Sequence, residues 1–191
     1  MKFLFFLAPL IIVSCTAQSS APSVPPSYIS EAPLPEGWPQ PGPYDRVSEK
    51  SYPQYRAAFT SRKGQSLAFF KLFGHIKKNA IPMTAPVEME MAGGEKGLKM
   101  ASMAFLYQSG KIGTAGPAGD ELVVRDIPAS RVLTYTWQGK DSKANIAKAK
   151  KALETVLRER KISDKPFRLF GYNGPGTPSG KRTWELQALL K

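Results

Sequence analysis

Tyr52-Pro53-Gln54-Tyr55-Arg56-Ala57-Ala58-Phe59-Thr60 can be laid over Ile127-Pro128-Ala129-Ser130-Arg131-Val132-Leu133-Thr134-Tyr135 at a constant offset of 75 residues. In each copy a proline stands ahead of a run that ends in β-formers, the pattern of a strand. A polar break follows each copy, Ser61-Arg62-Lys63-Gly64-Gln65 in one and Gly139-Lys140-Asp141-Ser142 in the other. Then comes a helical pattern, then two more strand-like runs: 83–91 and 98–108 in the first copy, 167–173 and 182–190 in the second. One plan written twice predicts an α+β domain of two pseudo-symmetric halves, with antiparallel strands curled around a core and two α-helices packed outside.

The later helix carries Ile146, Ala149, Leu153, Val156 and Leu157 as one stripe at helical spacing, with Asp141 or Ser142 as its N-cap. Among the strands, Val87-Glu88-Met89-Glu90-Met91 and Trp184-Glu185-Leu186-Gln187-Ala188 alternate apolar with polar, so each presents one face of each kind. In the earlier helix, at 100° per residue, Phe69, Leu72, Phe73 and Ile76 share a face that must be the core side. Leu67, Phe70 and Gly74 cluster on roughly the opposite side, among Lys71, Lys77 and Lys78.

The chain begins with a targeting segment. Lys2 precedes the 11-residue apolar run Phe3–Val13, far short of the ~20 residues a spanning helix needs. Ile12-Val13-Ser14-Cys15 resembles the lipobox of bacterial lipoproteins, which implies cleavage after residue 14 and lipidation of Cys15. Several buried acyl chains make a durable anchor. Cys15 is the only cysteine, so the mature chain has no intramolecular disulfide. Residues 15–44 follow as a tether, with eight prolines among Ser, Ala and Gln and few large apolar side chains to offset ordering entropy. Residues 45–191 form the single globular domain, a chain long enough for one core.

Without Lys2 the chain holds 26 Lys and Arg against 15 Asp and Glu, a net of +11. Such a balance suits anionic partners, and the envelope location that Cys15 implies disfavours nucleic acid.

Met83-Thr84 between Pro82 and Ala85-Pro86-Val87 resembles the signature of the SOUL haem-binding family. Leu72-Phe73 leading to Asn79, Ser102-Met103-Ala104-Phe105, Tyr172-Asn173 and Lys181-Arg182 before Glu185 fall in the same family order. Gly174-Pro175 replaces the usual pair of prolines, and Trp184 stands where Asn commonly precedes the late Glu. The resemblance implies a distorted antiparallel β-barrel of two similar halves with two helices, akin to effector-binding domains of bacterial regulators. It also implies haem or a related tetrapyrrole as ligand, bound without catalysis by a monomer.

An outward apolar patch with a close-approach glycine and a rim of lysines suits a flat apolar ligand with acidic substituents. The candidate site is therefore Leu67, Phe70 and Gly74 against the macrocycle, with Lys71 and Lys78 paired to propionates. His75, the only histidine, is a possible axial iron ligand. Met83, Met89, Met91, Met100 and Met103 fall within 21 residues, but their strand spacing reads as core.

Enzyme templates are absent: one His and one Cys allow no zinc cluster and no Cys–His pair. Gly174-Pro175-Gly176-Thr177-Pro178-Ser179-Gly180 reads as a turn before a strand. Glu185 reads as a solvated strand carboxylate. The expected protein is a lipid-anchored lipoprotein of the bacterial cell envelope, on the periplasmic face of the outer or inner membrane, that binds tetrapyrrole. Two alternatives are an interaction module that meets lipid, peptidoglycan or protein through its basic surface, and a pocket centred on Glu185 for a non-porphyrin small molecule.

Overall fold

The computed structural model describes residues 26–190 except 62–66, 95–96, 120 and 164. The expected targeting segment 1–14, Cys15 and the first part of the expected tether lie outside the described residues. The elements run β1 (Val47–Tyr52), β2 (Tyr55–Thr60), α1 (Ala68–Lys78), β3 (Val87–Gly94), β4 (Gly97–Leu106) and β5 (Gly116–Pro117). They continue with β6 (Leu122–Ile127), β7 (Ser130–Gln138), α2 (Lys143–Glu159), β8 (Phe167–Gly171) and β9 (Thr183–Leu189).

The 75-residue offset extends past the quoted run. It carries Val47–Tyr52 onto Leu122–Ile127, and Ala68, the first residue of α1, onto Lys143, the first of α2. The candidate strand that starts at Tyr52 is in fact two strands, because Pro53 and Pro128 fall in the gaps between β1 and β2 and between β6 and β7. Each leading strand then crosses to the other half: β1 pairs with β7, and β6 with β2, both antiparallel. The halves also join where β3 pairs with β8, Met89 opposite Leu169.

The nine strands form one sheet in the order β1-β7-β9-β8-β3-β4-β2-β6-β5. This bears out the α+β class and the antiparallel halves, but the sheet is open where a barrel was expected: β1 and the two-residue β5 are its edges. It curls all the same. Arg168 Nη1 on β8 donates to the Tyr55 hydroxyl on β2 at 2.9 Å, although three steps of the sheet order separate those strands.

The inner side of the curl packs Tyr52, Tyr55, Phe59, Leu106, Phe170 and Tyr172 into one core. The outer side carries the helices. Under α2 lie Leu133, Trp137, Leu169 and Leu186, met by Ala149, Leu153 and Leu157 of the expected stripe. Ser142 caps α2, its hydroxyl accepting from the Asn145 amide at 3.2 Å.

Because both sheet faces are covered, the polar face of the alternating strands is not solvated. Glu88, Arg168, Glu185 and Gln187 are all buried inside the curl. Residues 26–44 also differ from a free tether. Tyr28 and Leu34 pack on the inner core and Trp38 is buried in it, 4.7 Å from Tyr52 and 5.2 Å from Tyr55 between ring centres. Trp38 supplies the apolar area that the proline count obscured. No helix among the described residues is long and apolar enough to cross a membrane.

Candidate functional site

Helix α1 is the element on which the expected site residues converge, and its orientation decides their roles. Its buried residues are Ala68, Leu72 and Ile76, one row at four-residue spacing. Phe69 and Phe73, expected on the core side, are 40% and 46% exposed. They stack on each other along the flank, and Phe69 also meets Phe105 edge-on at 5.0 Å. The small Ala68 lets the helix sit down on that row, which turns the two phenylalanines outward.

Leu67 and Phe70 are 64% and 68% exposed, as the outward strip requires. Leu67 has φ 64 at the helix start and makes no side-chain cap. A branched, bulky residue in that region stores strain, a mark that clusters at ligand sites. Phe70 meets Phe69 edge-on, so Leu67, Phe69, Phe70 and Phe73 make a contiguous exposed apolar surface. A Cβ on Gly74 would meet nothing within 4 Å, so the outer face there is open.

Lys71, Gly74, His75 and Lys78 fall on the opposite flank and line a groove of about 520 Å³ with Tyr107 and Leu122. The structure therefore separates the predicted residues into an apolar outer strip and a basic groove that meet at Gly74. Lys71 is paired with Glu121. The His75 Nε2 and the Tyr107 hydroxyl share a hydrogen bond at 2.8 Å, while Asn79 lies against Nδ1 at 3.3 Å. Desolvation, and then Lys78, push the His75 pKa down, which keeps the ring neutral and able to ligate. Tyr107 and Glu121 were not legible as site residues, since they come from segments distant in sequence, after β4 and before β6.

The pocket centred on Glu185 is filled by the chain itself. Its carboxylate accepts from Lys50 Nζ at 2.6 Å and from the Thr136 hydroxyl at 2.9 Å, and Tyr52 and Gln187 donate as well. Nearby, Glu88 accepts from the Tyr55 hydroxyl at 2.6 Å, and burial raises its pKa. Trp38 covers the aromatic residues above this network. A cationic guest would have to displace both Lys50 and the indole.

A second cavity, of about 450 Å³, lies on the helix side of the sheet. Met83, Met89 and Met103 line it together with Phe69, Val87 and Trp184. Three of the five methionines are thus half-buried cavity lining rather than closed core. At one end the loop from Asn173 to Pro175, Arg182 and Glu31 form the rim.

A family model described as SOUL heme-binding protein matches residues 42–187. Among solved structures, the EcmrR C-terminal domain superposes with a TM-score of 0.53 at 15% identity, covering 76% of this chain and 97% of that one. An EcmrR–DNA complex gives 0.54 at 13% identity over 75% of this chain, which spans only 56% of that longer chain. An uncharacterized conserved protein from Listeria innocua gives 0.53 at 9% identity, covering 78% and 93%. At such identities the likeness shows the fold alone. No curated protein matches the chain.

Proposed function

The chain belongs to the SOUL haem-binding family, and on that premise we propose that its domain binds haem or a related tetrapyrrole against the outer side of α1, without catalysis. Leu67, Phe70 and Gly74 meet the macrocycle, Lys71 and Lys78 pair with its propionates, and His75 is the candidate axial ligand. The observation that supports this most is the exposed strip of Leu67 and Phe70, which no part of the described chain covers.

Magnitudes bound the reading. Covering the exposed two-thirds of Leu67 and Phe70 contributes about 2–4 kcal/mol, taking roughly 1.5–3 kcal/mol for a full side chain. Association costs about 4–15 kcal/mol in lost freedom. The flanking Phe69 and Phe73 and the lysine contacts must therefore contribute as well. Lys71 is free to change partners at small cost, since an exposed pair such as Lys71–Glu121 contributes only about 0–1 kcal/mol. Axial ligation by His75 would exchange its bond to Tyr107 for one to iron.

Titration of the chain with haem, followed by absorbance, tests the proposal. We expect a shifted, saturable Soret band, weakened about ten-fold or more in Phe70→Asp. A spectrum that stays that of free haem at tens of micromolar ends the reading. Anchoring to the bacterial envelope through a lipidated Cys15 completes the proposal, and it is supported by Ile12-Val13-Ser14-Cys15 after the apolar run.

A further inference from the structure

We propose that the cavity beside α1 is a second ligand site, built for an apolar molecule that ends in a carboxylate, and that Glu31 occupies its acid-binding end in the unliganded chain. The acid-binding end is a cradle. The Gly174 amide donates to Glu31 Oε2 at 2.6 Å, and the Thr177 hydroxyl donates to Oε1. Arg182 adds positive charge, its guanidinium fixed by the Thr177 carbonyl at 2.9 Å and the Pro175 carbonyl at 3.1 Å. A Cβ on Gly174 would lie 3.3 Å from one Glu31 oxygen, and a Cβ on Gly176 3.7 Å from the other. The first is a tight approach that glycine at 174 relieves, and the second is an ordinary contact. An amide and a hydroxyl donating to the two oxygens, with a guanidinium's charge beside them, suit a carboxylate.

Glu31 brings a carboxylate to that cradle but no apolar body. The body's place is the cavity of about 450 Å³, whose rim includes Glu31, Gly174 and Arg182. Its walls are Phe69, Val87, Trp184 and the thioethers of Met83, Met89 and Met103, flexible side chains that mould to a guest. The volume lies within the range of small-molecule sites. The room depends on Gly171, since a Cβ there would strike the Trp184 ring at 2.8 Å and push it from its place along the strand.

Glu31 is exposed, on a strap held here by Asn173 Nδ2 to the Ile29 carbonyl at 2.7 Å and by the Ala85 amide to the Pro33 carbonyl at 3.0 Å. An exposed side chain can yield to an acid tethered to a buried body. The Thr177 hydroxyl first, then the Gly174 amide, hold the Glu31 pKa below its usual value. A depressed carboxylate pKa means this contact stabilises the fold above the ordinary range of ~4.3 and is lost as pH falls through the folded value. Phe69 borders both this cavity and the outer strip of α1, whereas Glu31, Thr177 and the three thioethers belong to this site alone, so each site can fail alone.

Methionine-methyl NMR on the full chain, titrated with dodecanoate, tests the site. Dodecanoate should shift the methyls of Met83, Met89 and Met103. Glu31→Ala should tighten its binding about ten-fold by freeing the cradle, and Thr177→Val should weaken it. Dodecanol, which lacks the acid, should gain nothing from Glu31→Ala. Metal-free protoporphyrin is the second probe. Movement of the same three methyls by protoporphyrin in Phe70→Asp protein would support the cradle with a propionate as its natural guest. The proposal is overturned if neither acid moves those methyls, or if Glu31→Ala leaves dodecanoate affinity unchanged.

Discussion

Glu185 has no exposed surface, and four side chains donate to its carboxylate: Lys50, Tyr52, Thr136 and Gln187. Replacing it by Gln keeps the shape but leaves Lys50, whose side chain is only 10% exposed, without its counter-charge. Loss of one member of a buried pair costs about 3–5 kcal/mol. Urea denaturation of Glu185→Gln should show a loss of that size, and adding Lys50→Met to Glu185→Gln, which removes the unpaired charge and keeps an amide oxygen for the other donors, should recover most of it. The alternation of Trp184-Glu185-Leu186 correctly placed the glutamate opposite the helix-side residues. It gave no sign that the opposite face is enclosed, because the curl depends on contacts such as Arg168 to Tyr55 between distant strands. A period of two names the faces but not what lies over them.

At the scale of the element, α1 separates stability from binding at a single position. Gly74 is a helix-interior glycine with open space where a Cβ would go. Gly74→Ala should therefore raise stability by about 0.5–1 kcal/mol in thermal or urea denaturation. If the macrocycle lies against this turn, the same methyl stands in its way, and haem affinity should fall while stability rises. A rise in stability with unchanged affinity would remove Gly74 from the contact surface. The outward Leu67 and Phe70 and the inward Leu72 and Ile76 were legible from periodicity. The places of Phe69 and Phe73 were not, because a rotation of one flank depends on the small Ala68 fitting against the sheet. The cavity that Phe69 borders was equally illegible: Met83, Met89 and Met103 have core spacing, and only the packing around Gly171 and Trp184 leaves space beside them.

The whole molecule is two repeats, a relation the 75-residue offset already stated. What the offset could not state is that β1 and β6 exchange partners, since pairing belongs to space and not to spacing. Neither half is complete: residues 45–119 lack β7 for β1 and β6 for β2, and β3 loses β8. Expressed alone, each half should give the circular dichroism of an unfolded chain. Mixed, residues 45–119 and 121–191 should recover the native spectrum, with a midpoint that rises with protein concentration. Halves that fold separately would show that the crossing is not needed for stability.

That crossing has a bearing on origins. In a lone repeat the first strand would find its present partner only in a second copy, so two such chains could make the same exchange between molecules. In a single chain that reciprocal embrace is permanent, and its two sides are free to differ, one with greasy aromatics on its helix and the other without.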